Sequence, residues 1–88
     1  MSDQDTLLEF PCEFPIKAMG LADGTFDTRV VEIINRHVED PPEGAIRRRP
    51  SAKGKYLSVT VTIRATSREQ LDDIYRELTA CEEVLMAL

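Results

Sequence analysis

The side chains that could carry out chemistry in this sequence are few, and they lie far apart along the chain. The histidine, His37, has no second histidine, cysteine or serine nucleophile near it in sequence. General acid–base or nucleophilic catalysis needs such a partner within hydrogen-bonding reach. We therefore predict that His37 is a helix-end residue, that there are no catalytic residues, and that the protein is not an enzyme.

The cysteines, Cys12 and Cys81, are widely separated and form no CxxC motif. A zinc site or a thioredoxin-type redox pair needs closely spaced cysteines, and many zinc sites add histidines. We therefore predict no metal site and no cofactor. We expect both thiols to be reduced, with Cys81 packed in the core as a small apolar side chain.

A basic cluster lies within an acidic chain. The net charge is -5 and the pI is about 4.8, yet no acidic residue interrupts Arg47, Arg48, Arg49, Lys53 and Lys55. Binding to nucleic acids or acidic membranes depends on phosphate neutralisation, so the overall charge predicts neither partner. The cluster either keeps an edge strand solvated and apart from other strands or forms a site for an anion or partner; the sequence leaves both open.

Size and composition indicate one soluble domain. The 88 residues are 42% hydrophobic and 31% charged, and no apolar run approaches the roughly 20 residues of a membrane helix. The N-terminus carries acids where a signal peptide has basic residues. We predict a cytoplasmic protein with a flexible N-terminal arm at residues 1–9 and a single domain at residues 10–88, small enough to benefit from self-association.

One strand organises the predicted fold. Apolar residues alternate with Ser58, Thr60, Thr62 and Arg64, which is typical of a half-buried strand; the apolar positions are Leu57, Val59, Val61, Ile63 and Ala65. Gly54 predicts a tight turn that joins this strand to a second one at Ala45 to Pro50 as a hairpin. Further strands are predicted at Phe14 to Gly20 and at Glu83 to Leu88.

Two amphipathic helices complete the pattern. The first, capped by Asp23 or Thr25 and ending near Val38, has one apolar stripe, formed by Phe26, Val30, Ile33, Ile34 and His37. The second begins at a capping box, Ser67 with Gln70 or Thr66 with Glu69. Its stripe contains Leu71, Ile74, Tyr75, Leu78 and Cys81.

The element order predicts an α+β, ferredoxin-like βαββαβ sandwich. Its four-stranded antiparallel sheet would have the order 4-1-3-2, with two helices on one face because each helix has a single apolar stripe. Cys12 and Cys81 would then lie at opposite ends, too far apart for a disulfide. Three connections would share one end: Gly20 to Thr25, the Ser51 to Lys55 turn, and Ala80 to Glu83.

That shared end is a candidate ligand site. A helix N-terminus beside a basic turn could hold a carboxylate or phosphate, although the acids Asp23, Asp27, Glu82 and Glu83 would repel an anion. Small anionic ligand binding is therefore one functional hypothesis. Its residues are Gly20, Asp23, Gly24, Lys53, Gly54 and Lys55.

The uncovered sheet face is a candidate interface. It would carry Tyr56, Ser58, Thr60, Thr62 and Arg64, and packing of two such faces, or pairing of two second strands, would give a homo-dimer. RNA-recognition modules share this topology, but here Lys55 and Leu57 stand where their third strand has stacking aromatics. We therefore predict a homo-oligomer and no nucleic-acid partner.

The sequence also resembles a known family. The segments that carry the resemblance are LLEFPCEFPIKAMG, VVEIINRH, PSAKGKYLSVTVTIRATS, IYREL and VLMAL. Together they are similar to the YbeD family of small bacterial proteins, whose implied fold is ferredoxin-like and similar to ACT-type regulatory domains.

The resemblance implies a regulatory or protein-interaction role, a metabolic-enzyme partner and a link to lipoate metabolism. The alternative it implies is an ACT-like sensor of a small anionic ligand such as an amino acid. ACT-type domains hold their ligand against a turn before the first helix. The corresponding turn here contains Gly20, Asp23 and Gly24 but lacks the usual proline, so the resemblance carries over only the location of the site.

Overall fold

A computed structural model describes residues 9–38 and 45–88 of the chain. All but the last residue of the predicted N-terminal arm, and most of the segment between the first helix and the second strand, lie outside these residues. The elements are β1 Cys12–Leu21, α1 Phe26–Asn35, β2 Ile46–Pro50, β3 Tyr56–Ala65, α2 Arg68–Ala80 and β4 Val84–Ala87.

The predicted ferredoxin-like fold is confirmed. The four strands form one antiparallel sheet in the order β2-β3-β1-β4. β1 and β3 pair along their full length, from Cys12 opposite Ala65 to Leu21 opposite Tyr56. β3 therefore lies inside the sheet, as its alternating pattern predicted.

The core lies between one face of this sheet and the two helices. Ile16, Ala18, Val59, Val61 and Ile63 are at most 3% exposed, and the β1–β3 register places them on the same face. The helices contribute Phe26, Val30, Ile33, Ile34, Leu71, Ile74 and Leu78 to the same core cluster. Both helices thus cover one face, called here the covered face, and leave the other open.

Pro15 lies in β1, an interior strand, where a proline could cost the ladder a hydrogen bond because it has no N–H. Lys17 and Leu88 exchange both backbone hydrogen bonds, Lys17 N to Leu88 O at 3.1 Å and Leu88 N to Lys17 O at 2.7 Å. Two residues earlier, the nitrogen of Pro15 points to the same side of β1, beyond the described length of β4. The missing N–H therefore removes no hydrogen bond of the described ladder.

The helix boundaries follow from their caps. Ser67 Oγ accepts a hydrogen bond from Gln70 N at 3.1 Å, as the capping-box pattern predicts. The Gln70 side chain reaches Thr66 N at 2.8 Å, one residue earlier than in a standard box, and donates to His37 O at 2.8 Å. α1 ends at Asn35 rather than near Val38, because the bond from His37 N to Ile34 O, 3.0 Å, tightens the last turn.

No helix among residues 9–38 and 45–88 has the length and apolar character needed to span a membrane.

Candidate functional site

The three connections predicted to share one end of the sheet do meet there. Ala22 N donates to Lys55 O at 2.9 Å, which joins the loop after β1 to the hairpin turn. Gly20 is buried, and a Cβ at this position would collide with the carbonyl oxygen of Glu83 and the ring of Phe26. Gly20 therefore allows close packing of β1, α1 and the turn before β4, and offers no space to a ligand.

The N-terminus of α1 is already occupied by the chain's own carboxylates. Asp23 Oδ1 accepts hydrogen bonds from Thr25 N at 2.9 Å and Thr25 Oγ1 at 3.1 Å. The backbone N–H of Thr25 is the largest cause holding the pKa of Asp23 below its usual value. Arg48 Nε donates to Asp27 Oδ2 at 2.6 Å, and this bond lowers the pKa of Asp27. An anionic ligand would have to displace or avoid these charges.

The hairpin turn is held by hydrogen bonds among its own residues. Gly54 N donates to Ser51 O at 2.9 Å and Ser51 Oγ accepts from Tyr56 N at 3.0 Å. Gly54 has φ +73°, as does Gly24 at +92° in the other loop, and glycine adopts this region without strain. Lys53 and Lys55 are exposed on the turn, and Lys55 Nζ lies 5.5 Å from the centre of the Tyr56 ring.

The open face of the sheet holds all five residues of the predicted interface. We define it by the residues that share the face of Thr60 across the strands. From β3 these are Tyr56, Ser58, Thr60, Thr62 and Arg64, from β1 Glu13, Pro15, Lys17, Met19 and Leu21, from β2 Arg47 and Arg49, and from β4 Met86. The structure thus gathers residues from all four strands on the one face that the helices leave uncovered.

This open face is basic although the protein is acidic. Lys17, Arg47, Arg49 and Arg64 lie on it, and Glu13 is the one acidic residue within its described strands. α2 on the other side of the sheet carries more acidic than basic side chains. Charges of opposite sign are therefore separated between the two layers of the molecule.

Register divides the arginine cluster between the two sides of the sheet. Arg47 and Arg49 pair with Thr60 and Ser58 and belong to the open face. Arg48 pairs with the buried Val59 and reaches Asp27 of α1 on the helix side. The sequence-based prediction treated these arginines as one basic cluster and did not separate its members. Strand alternation within Arg47–Arg49 was the signal that could have done so.

A shallow depression lies at the tyrosine end of the open face. It has a volume of about 240 Å³, and its lining includes Lys17, Met19, Arg49, Tyr56 and Ser58. Ser58 Oγ is buried and has no hydrogen-bond partner in the part of the chain that the structure describes. The depression thus combines cationic groups, apolar surface and a hydroxyl group.

At the opposite end of the sheet, His37 joins the two helices. Its Nε2 lies 2.9 Å from Glu77 Oε1, and Arg36 bonds the other oxygen of the same carboxylate. The His37 hydrogen bond is the largest cause lowering the pKa of Glu77. A 690 Å³ cavity nearby is lined by residues including His37, Arg64, Ser67 and Gln70. Ser67 there caps α2, so its hydroxyl already accepts a backbone hydrogen bond.

The cysteines lie apart and unpaired. Both Cys12, at the start of β1, and Cys81, just after α2, are half-buried free thiols, so Cys81 is less buried than the sequence predicted. Within residues 9–38 and 45–88, no three histidine, cysteine, aspartate or glutamate side chains are grouped so as to hold a metal ion.

Comparison with protein families identifies the chain's relatives. A family model described as a protein of unknown function (DUF493) matches residues 5–88. The chain belongs to this family. A UPF0250 protein of Janthinobacterium is 50% identical over 76 residues, covering 86% of this chain and 84% of the relative. A UPF0250 protein of Neisseria gonorrhoeae is 42% identical over 91 residues, covering both chains fully.

These matches confirm the resemblance to the YbeD family of bacterial proteins. The solution structure of protein HP0495 from H. pylori superposes with a TM-score of 0.68 at 15% identity, covering 92% of this chain and 85% of that one. At this identity the superposition supports the ferredoxin-like fold alone. The names of these relatives state no enzymatic activity.

Proposed function

We propose that this protein is a non-catalytic, cytoplasmic regulatory domain that docks an acidic protein on the open face of its sheet. A single observation carries the proposal: basic side chains collect on the sheet face that α1 and α2 leave uncovered, in a chain whose net charge is -5. Complementary charge speeds encounter and selects partners. A metabolic enzyme with an acidic surface is the class of partner that fits a regulatory domain of this kind.

The tyrosine end of the open face supplies an anchor for such a partner. Tyr56 is 37% exposed, and Leu21 beside it is 50% exposed. Aromatic and arginine side chains contribute strongly to binding when a partner removes them from water. Tyr56, Arg49 and Ser58 together line the depression in which an anchoring side chain could rest. Affinity would come from this end, and orientation from the basic residues along the strands.

The alternative is an ACT-like sensor that binds a small anionic ligand, such as an amino acid, at the end of the sheet where the three connections meet; the proposed link to lipoate metabolism belongs to the regulatory function ranked first. The contact between Ala22 and Lys55 favours it, because this contact brings Lys53 and Lys55 close to the loop that contains Asp23 and Gly24. The carboxylates at the start of α1 oppose it, since Asp23 and Asp27 take the positions where a ligand anion would bind. We therefore rank protein docking first.

Affinity capture with matched charge variants tests the proposal. Full-length protein, Arg47→Glu with Arg49→Glu, and Lys53→Glu with Lys55→Glu would each be used to capture partners from a lysate of the native cell. We expect the unmodified protein and the turn variant to retain the same acidic partner, and the open-face variant to lose it. Equal capture by all three proteins would contradict docking on the open face.

A ligand screen distinguishes the ACT-like sensor from protein docking. A ligand that binds only the native state raises the melting temperature, and the rise continues with the logarithm of the ligand concentration above its Kd. Amino acids, lipoate and octanoate should leave the melting temperature unchanged if the domain acts by protein docking. A clear rise that is lost in the Lys53→Glu with Lys55→Glu variant would instead favour the ACT-like sensor. That variant should still fold, because both lysines are exposed turn residues.

A further inference from the structure

The depression at the tyrosine end of the open face forms because a short side chain lies among longer ones. Ser58 pairs with Met19 of β1 on one side and with Arg49 of β2 on the other, so the three residues form one row across the sheet. Tyr56 precedes Ser58 by two residues and points to the same face. Because serine is the shortest of these four side chains, the space of about 240 Å³ that they line lies above it.

The cations beside this space have no acidic partner in the described chain. Arg48, which points to the helix side, bonds Asp27 at 2.6 Å. Lys17 and Arg49 line the depression, and neither forms an ion pair within the part of the chain that the structure describes. No described acidic residue lines the depression either. Its positive charge is therefore available to a bound group.

Hydrogen-bonding chemistry restricts what can fill the depression. Lysine and arginine side chains only donate hydrogen bonds, and the Ser58 hydroxyl, buried without a partner among the described residues, can donate as well. Lys17 and Arg49 lie on the strands either side of β3, about 10 Å apart, and side chains of this length can both reach a group held above Ser58. An anionic acceptor would pair with both cations and satisfy the hydroxyl, whereas a cation would be repelled.

The walls and the size of the depression indicate how this anion is carried. Met19 and Tyr56 supply apolar surface, which favours a charged group on a stem of methylene groups. Pockets for small molecules usually measure about 300–1,000 Å³ and enclose most of their ligand. This depression is smaller, at about 240 Å³, and shallow. It therefore suits one side chain of a docked protein better than a free metabolite.

We propose that the depression above Ser58 binds the carboxylate of a glutamate side chain of the docked protein, with Lys17 and Arg49 on either side of it. This inference rests on the docking function proposed above and names the residue type that anchors the partner. Glutamate fits better than aspartate, because its second methylene group carries the carboxylate further past Met19 and Tyr56 toward the serine. The other basic residues of the open face then contact further acidic residues of the partner.

A blocked glutamate residue provides a probe that needs no partner protein. N-acetyl-glutamate methylamide would be titrated into the isotope-labelled full chain, with N-acetyl-glutamine methylamide at equal ionic strength as the uncharged control. A single residue binds in the millimolar range, so amide chemical shifts in the NMR spectrum are followed instead of the melting temperature.

Three variants locate the bound probe. Ser58→Leu fills the depression, and Thr62→Leu makes a similar change on the same face of β3 but outside the depression. Lys17→Gln removes one cation without filling the space, so the proposal is still tested if Ser58→Leu disturbs the sheet. Circular dichroism compares the fold of all three with that of the unmodified protein.

We expect the glutamate probe, and not the glutamine probe, to shift the amide signals of Met19, Arg49 and Ser58. Ser58→Leu should abolish binding, Lys17→Gln should weaken it about two- to fivefold, and Thr62→Leu should leave it unchanged. Equal shifts with the two probes, no shifts at millimolar concentrations or shifts confined to another part of the protein would overturn the proposal. So would undiminished binding by Lys17→Gln or by folded Ser58→Leu, or loss of binding in Thr62→Leu.

Capture from the lysate distinguishes a failure of this inference from a failure of docking. If Arg47→Glu with Arg49→Glu loses the acidic partner and Ser58→Leu retains it fully, docking stands and the glutamate anchor is wrong. If every variant retains the partner although the probe binds above Ser58, docking on the open face is wrong, and the depression is a site for a free carboxylate instead.

Discussion

The two faces of β3 share one strand but serve different purposes. On the covered face, Val59, Val61 and Ile63 are at most 3% exposed and meet both helices. On the open face, Thr60, Thr62 and Arg64 lie among basic residues of β1 and β2. Close packing against the helices restricts the covered face to apolar residues. The charged and polar residues of the open face are available for binding. Substitutions on the covered face should therefore reduce stability, whereas substitutions on the open face should reduce binding and leave stability nearly unchanged.

The largest expected effect is on the covered face. Ile63→Ala leaves a cavity beneath the helices and should lower the free energy of unfolding by about 2–5 kcal/mol. Thr62→Ala, its neighbour on the open face, should change it by no more than about 0.5 kcal/mol. Urea denaturation followed by circular dichroism measures both. Similar losses for the two variants would show that the open face is packed as tightly as the covered one.

A second prediction concerns Gly20, at the end of the sheet where the three connections meet. It tests whether this glycine is needed for close packing of these connections. Gly20→Ala forces a methyl group against Glu83 and Phe26, and it should destabilise the fold by about 1–3 kcal/mol. Gly24→Ala meets open space and costs only the strain of its positive φ, roughly 1–2 kcal/mol. The midpoints of urea unfolding compare them. If Gly20→Ala were as stable as the unmodified protein, close packing of the three connections would be wrong.

The helix cap has a smaller effect. Ser67→Ala removes the acceptor for Gln70 N at the start of α2 and should cost about 1 kcal/mol. Thr28→Ala, on the exposed side of α1, provides a control with no cap to lose and an expected change within about 0.5 kcal/mol. The melting temperatures of the two variants measure the difference. An equal melting temperature for both would show that the Ser67 hydroxyl does not stabilise the helix.

The contact between the helices should give a weak pH dependence. Because hydrogen bonds from His37 and Arg36 hold the pKa of Glu77 below its usual 4.5 in the folded state, its contribution is complete above the unfolded pKa. This contribution is lost as the pH falls through the folded pKa. Solvent screening limits it to less than about 1 kcal/mol. Glu77→Gln should flatten the acid side of the stability curve, whereas Glu32→Gln on α1 should leave it unchanged; equal curves would contradict this role.

Much of the fold could be predicted because alternation and helical periodicity report burial directly. The pattern from Leu57 to Ala65 identified an interior strand, and Ser67 with Gln70 identified the start of α2. Contacts between residues that are distant in sequence could not be predicted from these patterns. No spacing rule links His37 to Glu77, so the sequence predicted a helix-end position for His37 but not its contact with a carboxylate of α2.

The candidate sites were predicted only in part, because they too depend on contacts between residues that are distant in sequence. The open-face residues of β3 follow from alternation along one strand. Alternation along β2 separates Arg48 from Arg47 and Arg49, but which of them join the open face depends on the register of β2 against β3 in the assembled sheet. The burial of Gly20 likewise depends on Phe26 and Glu83, which lie elsewhere in the chain and come together only in the folded domain.

Arg49→Gln should have the smallest effect on stability of these substitutions and the largest effect on binding. Arg49→Gln should change the free energy of unfolding by no more than about 0.5 kcal/mol, because its side chain is exposed on the open face. Thermal unfolding of this variant and of Arg48→Gln provides the necessary control on folding. Substantial unfolding of Arg49→Gln would show that this arginine stabilises the sheet.

The most direct test of docking on the open face compares these adjacent arginines in a binding measurement. Isothermal titration of the captured acidic partner would give its affinity for the unmodified protein, Arg49→Gln and Arg48→Gln. Docking on the open face predicts about tenfold weaker binding for Arg49→Gln and an unchanged affinity for Arg48→Gln, whose side chain reaches Asp27 on the helix side. Equal affinities for the two variants, or a greater loss for Arg48→Gln, would contradict it.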